Sequence, residues 1–441
     1  MSDPQHPQYS QQPPQRYPSQ PSQRPAQQTP GGYQYPSGYQ SGGYASGGYA
    51  ANPVAGYVPP AGQPYPAGGH APAGQPYLAY PGGGRLAPRG TVHYPEVNLR
   101  TARTAFSRMG WTLLVWMLGA ELVLMLLQFV GNILVQEIDP AARTIDKFPW
   151  LSLMLSNVAQ YGAALPLCLI VAFTIPKYPP QPRGADPGAR FCAREWLTIL
   201  VMGFPIMFVG SILGSSLSDL LSGGKFSNLL DSVASGTTPL DHVVEGITFV
   251  VFAPLAEEFI FRRCLIDRTR IYGEKLAVFS SALLFGLMHS NLYQFFYAFG
   301  WGLLWGYVYV RTGKLRYTIA LHATVNFIGG VAAPALTNVS DKDMNDLMSG
   351  DVQRITAAFG RSGPQLIGYM LYTVLILALV IAGVVLLVNA IRRKRAYFQQ
   401  SPKELVPRNR FRVALANPGI IVFVILTVLT TFITPLMMRF S

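Results

Sequence analysis

Residues 242–270 read HVVEGITFVVFAPLAEEFIFRRCLIDRTR. The stretch is long and apolar enough to cross a membrane, yet Glu257, Glu258, Arg262 and Arg263 lie inside it. Ionised groups are costly in hydrocarbon, so they are rare there and mark a cavity, a pathway or a reaction site. A helix that carries four of them needs polar partners on its neighbours.

The chain around it is segregated. Its 441 residues are 50% hydrophobic, but residues 1–95 are mostly Pro, Gly, Gln, Ser, Ala and Tyr, with repeats such as SGGYASGGYA and AGQPYPAGGHAPAGQPY. Such a segment buries too little surface to offset the entropy of ordering and is expected to be a disordered tail. It serves as a solvated spacer or as a sticky segment that binds a protein partner through Tyr. After it come apolar runs near 111–135, 150–175, 197–217 and 242–270, one that starts near 276 and contains FGLMHSN, a sixth ending at Arg311, then 317–333, 365–391 and 419–438. Several exceed the roughly 18 residues that mark a spanning helix. The expected fold is all-α: a polytopic transmembrane bundle of about eight or nine spans, with a core over 96–333 and a polar loop and C-terminal helices over 334–441.

The formal charge of +13 does not point to nucleic acid, because the Lys and Arg sit at helix ends. With the N-terminus in the cytoplasm, the basic clusters fall inside and the acidic loops outside, as the positive-inside pattern requires. Cys168, Cys192 and Cys264 have no CxxC or paired spacing, which argues against a disulfide framework or zinc knuckle.

Glu257 and Glu258 point about 100° apart on a helix, so they cannot face one ligand alike. Arg262 is four residues after Glu258, the spacing at which the two meet on one face. That leaves Glu257 as the freer carboxylate, poised to take a proton from water. The plainer alternative is a buried structural ion pair. His289 lies in LLFGLMHSN, and His322 and Asn326 lie four apart in LHATVNFIG. Counted from the basic ends at 1.5 Å per residue, Glu257 and His289 both lie roughly 20 Å deep, Asn326 about 15 Å and His322 about 9 Å. They share a pocket if their three helices are neighbours, and the count requires Arg262 and Arg263 both to be buried. HExxH, GxSxG and GxGxxG ahead of a helix are all missing. GSILGSS at 210–216 and the glycines of FGWGLLWGY read as close-packing faces.

EEFIFR at Glu257–Arg262, FGLMH at Phe285–His289 and HATVN at His322–Asn326 resemble, in order, the EExxxR, FxxxH and HxxxN motifs of the CAAX prenyl protease and bacteriocin-processing (CPBP, or Abi) intramembrane peptidases. The resemblance covers about residues 240–330. It implies peptide-bond hydrolysis in or near a membrane, with membrane lipids and a membrane-embedded or lipidated peptide as partners. It also implies an integral protein of a bacterial plasma membrane. By position, Glu257 looks like the base that activates water and His289 its assistant. His322 and Asn326 look like the groups that polarise the carbonyl and hold the oxyanion. Glu258, Arg262 and Phe285 look like support. No cofactor is expected, the alternative being zinc held by Glu257, His289 and His322, to which Asn326 would add only a poor ligand. A non-catalytic scaffold or immunity protein, or a transporter, are the rival readings. The transporter lacks the second polar cluster or inverted repeat it would need.

Overall fold

A computed structural model describes residues 96–138, 144–177, 191–224, 238–393 and 396–440. The tail of residues 1–95 lies outside the described residues, as do 139–143, 178–190 and 225–237, on which part of the loop-charge reading rests. The described residues belong to one compact unit, Leu86–Ser441, and include no strand.

The helices are α1 (Leu99–Ile138), α2 (Pro149–Phe173), α3 (Ala193–Ser222), α4 (residues 239–269), α5 (Glu274–Met288), α6 (Leu292–Thr312), α7 (Leu315–Thr337), α8 (Asp341–Met348), α9 (Val352–Arg392), α10 (Pro407–Ala414) and α11 (Pro418–Phe440). Helices occur at all nine expected places, but among the described residues six are long and apolar enough to cross a membrane: α1, α2, α3, α7, α9 and α11. The other three depart for separate reasons. α4 is charged and interrupted. α5 has 15 residues, about 22 Å of helix against a hydrocarbon core of about 30 Å. α6 has the length but carries Tyr, Trp, Gly and Gln.

α5 and α6 form a hairpin, with Gly302 against Ala282 and Gly306 against Val278. Its turn reaches α3 at Gly214, where a Cβ would come within 2.4 Å of the Leu292 carbonyl. α3 runs on to Ser222, about 12 Å further. The hairpin therefore turns short of the end of α3, and His289 sits at that turn. The close-packing face expected at 210–216 is the surface it docks on.

α4 begins with a capping box: Asp241 N donates to Thr238 Oγ1 at 3.2 Å, and Thr238 N donates back to Asp241 Oδ2 at 2.8 Å. Pro239 occupies the first turn, where its missing N–H costs nothing. The helix then widens twice into π turns, at Thr248–Phe252 and Phe259–Ile266. α2 and α7 carry others at Val158–Ala164 and Ile328–Ala332. Three of the four stand just before a proline: Pro166, Pro254 and Pro334. Proline clashes with the carbonyl four residues back and offers it no N–H, and a wider turn relieves both problems.

A widened turn frees carbonyls, and each of these four gives one to a neighbouring helix. Trp116 Nε1 donates to Gln160 O at 3.2 Å, Asn326 Nδ2 to Phe249 O at 2.8 Å, Ser281 Oγ to Phe261 O at 2.9 Å and Tyr372 OH to Ile328 O at 3.4 Å. Defects in the helices thus become polar contacts between them, where water is scarce.

α2 and α4 lie parallel in steady register. Trp150 N donates to Asp241 Oδ1 at 2.8 Å, Asn157 Nδ2 to Thr248 Oγ1 at 2.7 Å, and Arg268 Nε to Ile175 O at 3.2 Å. Between them the rings of Tyr161 and Phe252 meet at 5.9 Å. At the lower end of this pair the basic groups gather. Arg103 donates to Ala416 O at 2.9 Å, Arg270 pairs with Glu274 at 3.1 Å, Arg311 lies 3.6 Å over Tyr397, and Arg410 pairs with Glu404 at 2.9 Å. Asp343 and Asp346 of α8 sit at the other end, paired with Arg354 and Arg361.

Candidate active site

The polar centre is built by α4, the α5 hairpin and α7. Arg262 Nε donates to Glu258 Oε2 at 2.9 Å and Nη2 to Oε1 at 3.2 Å, and both side chains are wholly buried. The remaining guanidinium nitrogen, Nη1, donates to Ser281 Oγ at 3.3 Å. The same group lies 5.3 Å from the centre of the Phe285 ring. Each charge in this pair is met by directed partners, which is what makes its burial tolerable.

His322 joins the pair from α7, with Nδ1 3.2 Å from Glu258 Oε1. An ionised carboxylate only accepts, so Nδ1 carries the proton. The other ring nitrogen, Nε2, faces Glu257 Oε2 at 3.8 Å. That oxygen of Glu257 is buried and has no hydrogen-bond partner among the described residues, although the side chain as a whole is 17% exposed. The freer carboxylate is thus Glu257, as the spacing predicts.

His289 ends α5, and its Nδ1 lies 2.8 Å from Phe285 O. A carbonyl only accepts, so Nε2 is the nitrogen left with a lone pair in the neutral ring. His289 lies within electrostatic reach of Glu257. Phe285 is the hub: its ring meets Phe261, His289 and His322 edge-on, at 5.0, 5.1 and 5.8 Å.

Glu257, Glu258, Arg262, Phe285, His289 and His322 are therefore brought together. Asn326 shares a face with His322 but stands one turn away, with its amide on the Phe249 carbonyl freed by the π turn. Arg263 departs from expectation. Its side chain is 45% exposed and pairs with Asp267 at 3.0 Å, because the next residue on a helix points about 100° round. Three neighbours escaped the sequence reading: Ser281, Trp305, which stacks on His322 at 4.4 Å, and Tyr161, within electrostatic reach of Glu257. Asn157, Gln160 and Tyr161 together in an apolar helix were the available signal for α2. The tryptophans of FGWGLLWGY were overshadowed by its glycines.

Zinc on Glu257, His289 and His322 is the alternative to the metal-free site. Among the described residues no three His, Cys, Asp or Glu side chains are arranged to hold a metal ion.

Residues 239–328 match the family model described as type II CAAX prenyl endopeptidase Rce1-like. The match supports a CPBP-type intramembrane peptidase over this segment. No curated protein and no solved structure matches the chain. The matched segment opens at the first turn of α4 and closes at the start of the π turn in α7, so it contains Glu257, Glu258, Arg262, Phe285, His289, His322 and Asn326. Helices α1–α3 and α8–α11 lie outside it. The match supports a CAAX-type endopeptidase in an integral membrane protein.

Proposed function

We propose that the protein is an intramembrane endopeptidase in which Glu257 activates water against a peptide bond of a membrane-associated or lipidated substrate. One observation carries the reading: Glu257 Oε2 is buried and unpaired beside two histidines, while its neighbour Glu258 is fully engaged by Arg262 and His322. A buried carboxylate oxygen left without a partner is costly, and a water molecule on that oxygen relieves the cost.

In the proposed reaction Glu257 takes a proton from this water. The water oxygen bonds to the carbonyl carbon as the C=O electron pair moves onto oxygen. The proton passes to the amide nitrogen as the C–N bond breaks, leaving an acid and an amine. His289 orients the water through its Nε2 lone pair. The second N–H of the Asn326 amide faces the developing oxyanion, and His322, neutral at rest, joins it as a donor once its Nε2 also takes a proton. The Glu258–Arg262 pair holds His322. We place the basic end of the bundle and the N-terminal tail at the cytoplasmic face of a bacterial plasma membrane, following the positive-inside pattern.

The test uses full-length protein in detergent, with and without a strong chelator, against membrane-embedded peptides and peptides with and without a lipid chain. Glu257→Gln and His289→Ala run beside the wild type. Cleavage that survives chelation and falls at least about 10³-fold in Glu257→Gln is expected, since the nucleophile loses its base. Cleavage lost on chelation and restored by zinc would replace this mechanism with a metal-dependent one. Unfolding of both variants would favour the scaffold reading.

A further inference from the structure

Trp305 belongs to none of the three motifs, yet its indole lies flat against His322. The ring centres are 4.4 Å apart and the planes differ by 27°. Phe285 meets the same imidazole edge-on, at 86°. One ring fixes the plane of His322 and the other blocks its swing. In that plane Nδ1 reaches Glu258 and Nε2 faces Glu257. A half-turn of the ring about its own bond would present C–H groups to both carboxylates.

Trp305 is itself held from behind. Trp301, one turn earlier on α6, stacks on it at 5.2 Å and 29°. Trp301 in turn fills the notch over Gly203 of α3, where a Cβ would come within 1.7 Å of its ring. Both indoles are buried, at 1% and 2% exposure. Neither indole N–H has a hydrogen-bond partner among the described residues. An unpaired buried donor is a penalty that Phe or Leu would not carry, so filling volume does not account for two tryptophans here. A broad, rigid ring face does.

We propose that Trp305 is a positioning residue, and that the Gly203–Trp301–Trp305 stack holds His322 in the one plane that serves both glutamates. The proposal rests on the reading of the Glu257 site as catalytic. It extends that site beyond the matched segment, since Gly203 lies on α3 and its substitution would act on His322 through two intervening rings.

The experiment uses full-length protein with 15N-labelled histidine in lipid nanodiscs. The chain has six histidines, and a His322→Gln control assigns the His322 signals by difference. Trp305→Met keeps apolar bulk without a ring face, Trp305→Phe restores a face, and Gly203→Ala pushes Trp301 from behind. The wild type is expected to show a single neutral tautomer of His322, with the proton on Nδ1. Trp305→Met and Gly203→Ala are expected to mix the tautomers, and Trp305→Phe to restore the single form. Turnover in Trp305→Met is expected to fall roughly 10–100-fold in kcat with KM within about twofold, the scale for a catalytic group displaced by about 1 Å. An unchanged His322 spectrum in Trp305→Met overturns the proposal, whatever happens to turnover. Mixed tautomers with unchanged kcat overturn its catalytic half. Should Trp305→Met not fold, an unchanged spectrum in Gly203→Ala overturns it equally. Full activity in Glu257→Gln would sink the reading of the site, while the tautomers would still decide how His322 is held.

Discussion

Arg262 and Arg263 are adjacent, chemically identical and expected to behave very differently. Replacing Arg262 by Met removes two hydrogen bonds to Glu258 and one to Ser281, and leaves a carboxylate that is 0% exposed with only the uncharged Thr318 hydroxyl and His322 beside it. Breaking a buried pair from one side costs about 3–5 kcal/mol, because the surviving charge stays buried. Replacing Arg263 removes a pair whose arginine is 45% exposed, and such pairs are worth about 0–1 kcal/mol. The assay is reversible unfolding in mixed micelles followed by tryptophan fluorescence. Glu258→Gln combined with Arg262→Met is expected to recover part of the loss, since the amide carries no charge to strand. An Arg262→Met cost below about 1 kcal/mol, or one equalled by Arg263→Met, would show that water reaches the pair and would refute the argument from burial.

Other outcomes follow from the same geometry. Asn157→Ala and Thr248→Val remove the 2.7 Å bond between α2 and α4 and should couple by about 0.6–1.7 kcal/mol in a double-mutant cycle, the range for bonds between membrane helices; additive effects would deny the contact. Gly383→Leu sets a side chain against the Val201 carbonyl and Pro205, 2.3 and 2.4 Å from the new Cβ, and should cost about 1–3 kcal/mol and loosen α9 from α3; wild-type unfolding would contradict that packing. Asp343 is held down to about 2 by hydrogen bonds from Ser362, Ser340 and Arg361, and Asp346 is lowered by Arg361 and Arg354. Both folded values lie below the unfolded one, so the clip between α8 and α9 contributes fully above about pH 4 and is lost as pH falls toward about 2. Amide exchange across residues 341–361 should quicken only in that window; quickening already near neutral pH would point to another group.

Much of the site was legible because helical spacing is a strong constraint. Glu258 and Arg262 are four apart, as are His322 and Asn326, and that spacing alone sets each pair on a single face. The partner of Asn326 was not legible, since a carbonyl freed by a π turn leaves no side-chain signature. Pro254 was the visible hint, as the residue that makes the turn widen. The extent of α5 was hidden because apolar residues run on through the hairpin turn. Only Ser290, at φ 53°, and Asn291, whose side chain accepts from Gln294 N at 2.8 Å, mark the break. Arg263 was misread because hydropathy along a chain does not say which way a residue faces.

A π turn also acts as a phase shifter, holding one residue more than an α turn and rotating everything beyond it by about 100°. In α4 the turn at Thr248–Phe252 separates two attachments, the anchors to α2 at Asp241 and Thr248 and the carboxylates that face α7. Deleting one residue there, with the anchors kept, would close the wide turn into an α turn and leave Glu257, Glu258 and Arg262 in their places. Straightening the turn with no deletion would instead set Ala256 in the place of Glu257, Glu257 in that of Glu258 and Phe261 in that of Arg262. Such a frame-shifted helix would keep a carboxylate in the core, with no guanidinium left to hold it.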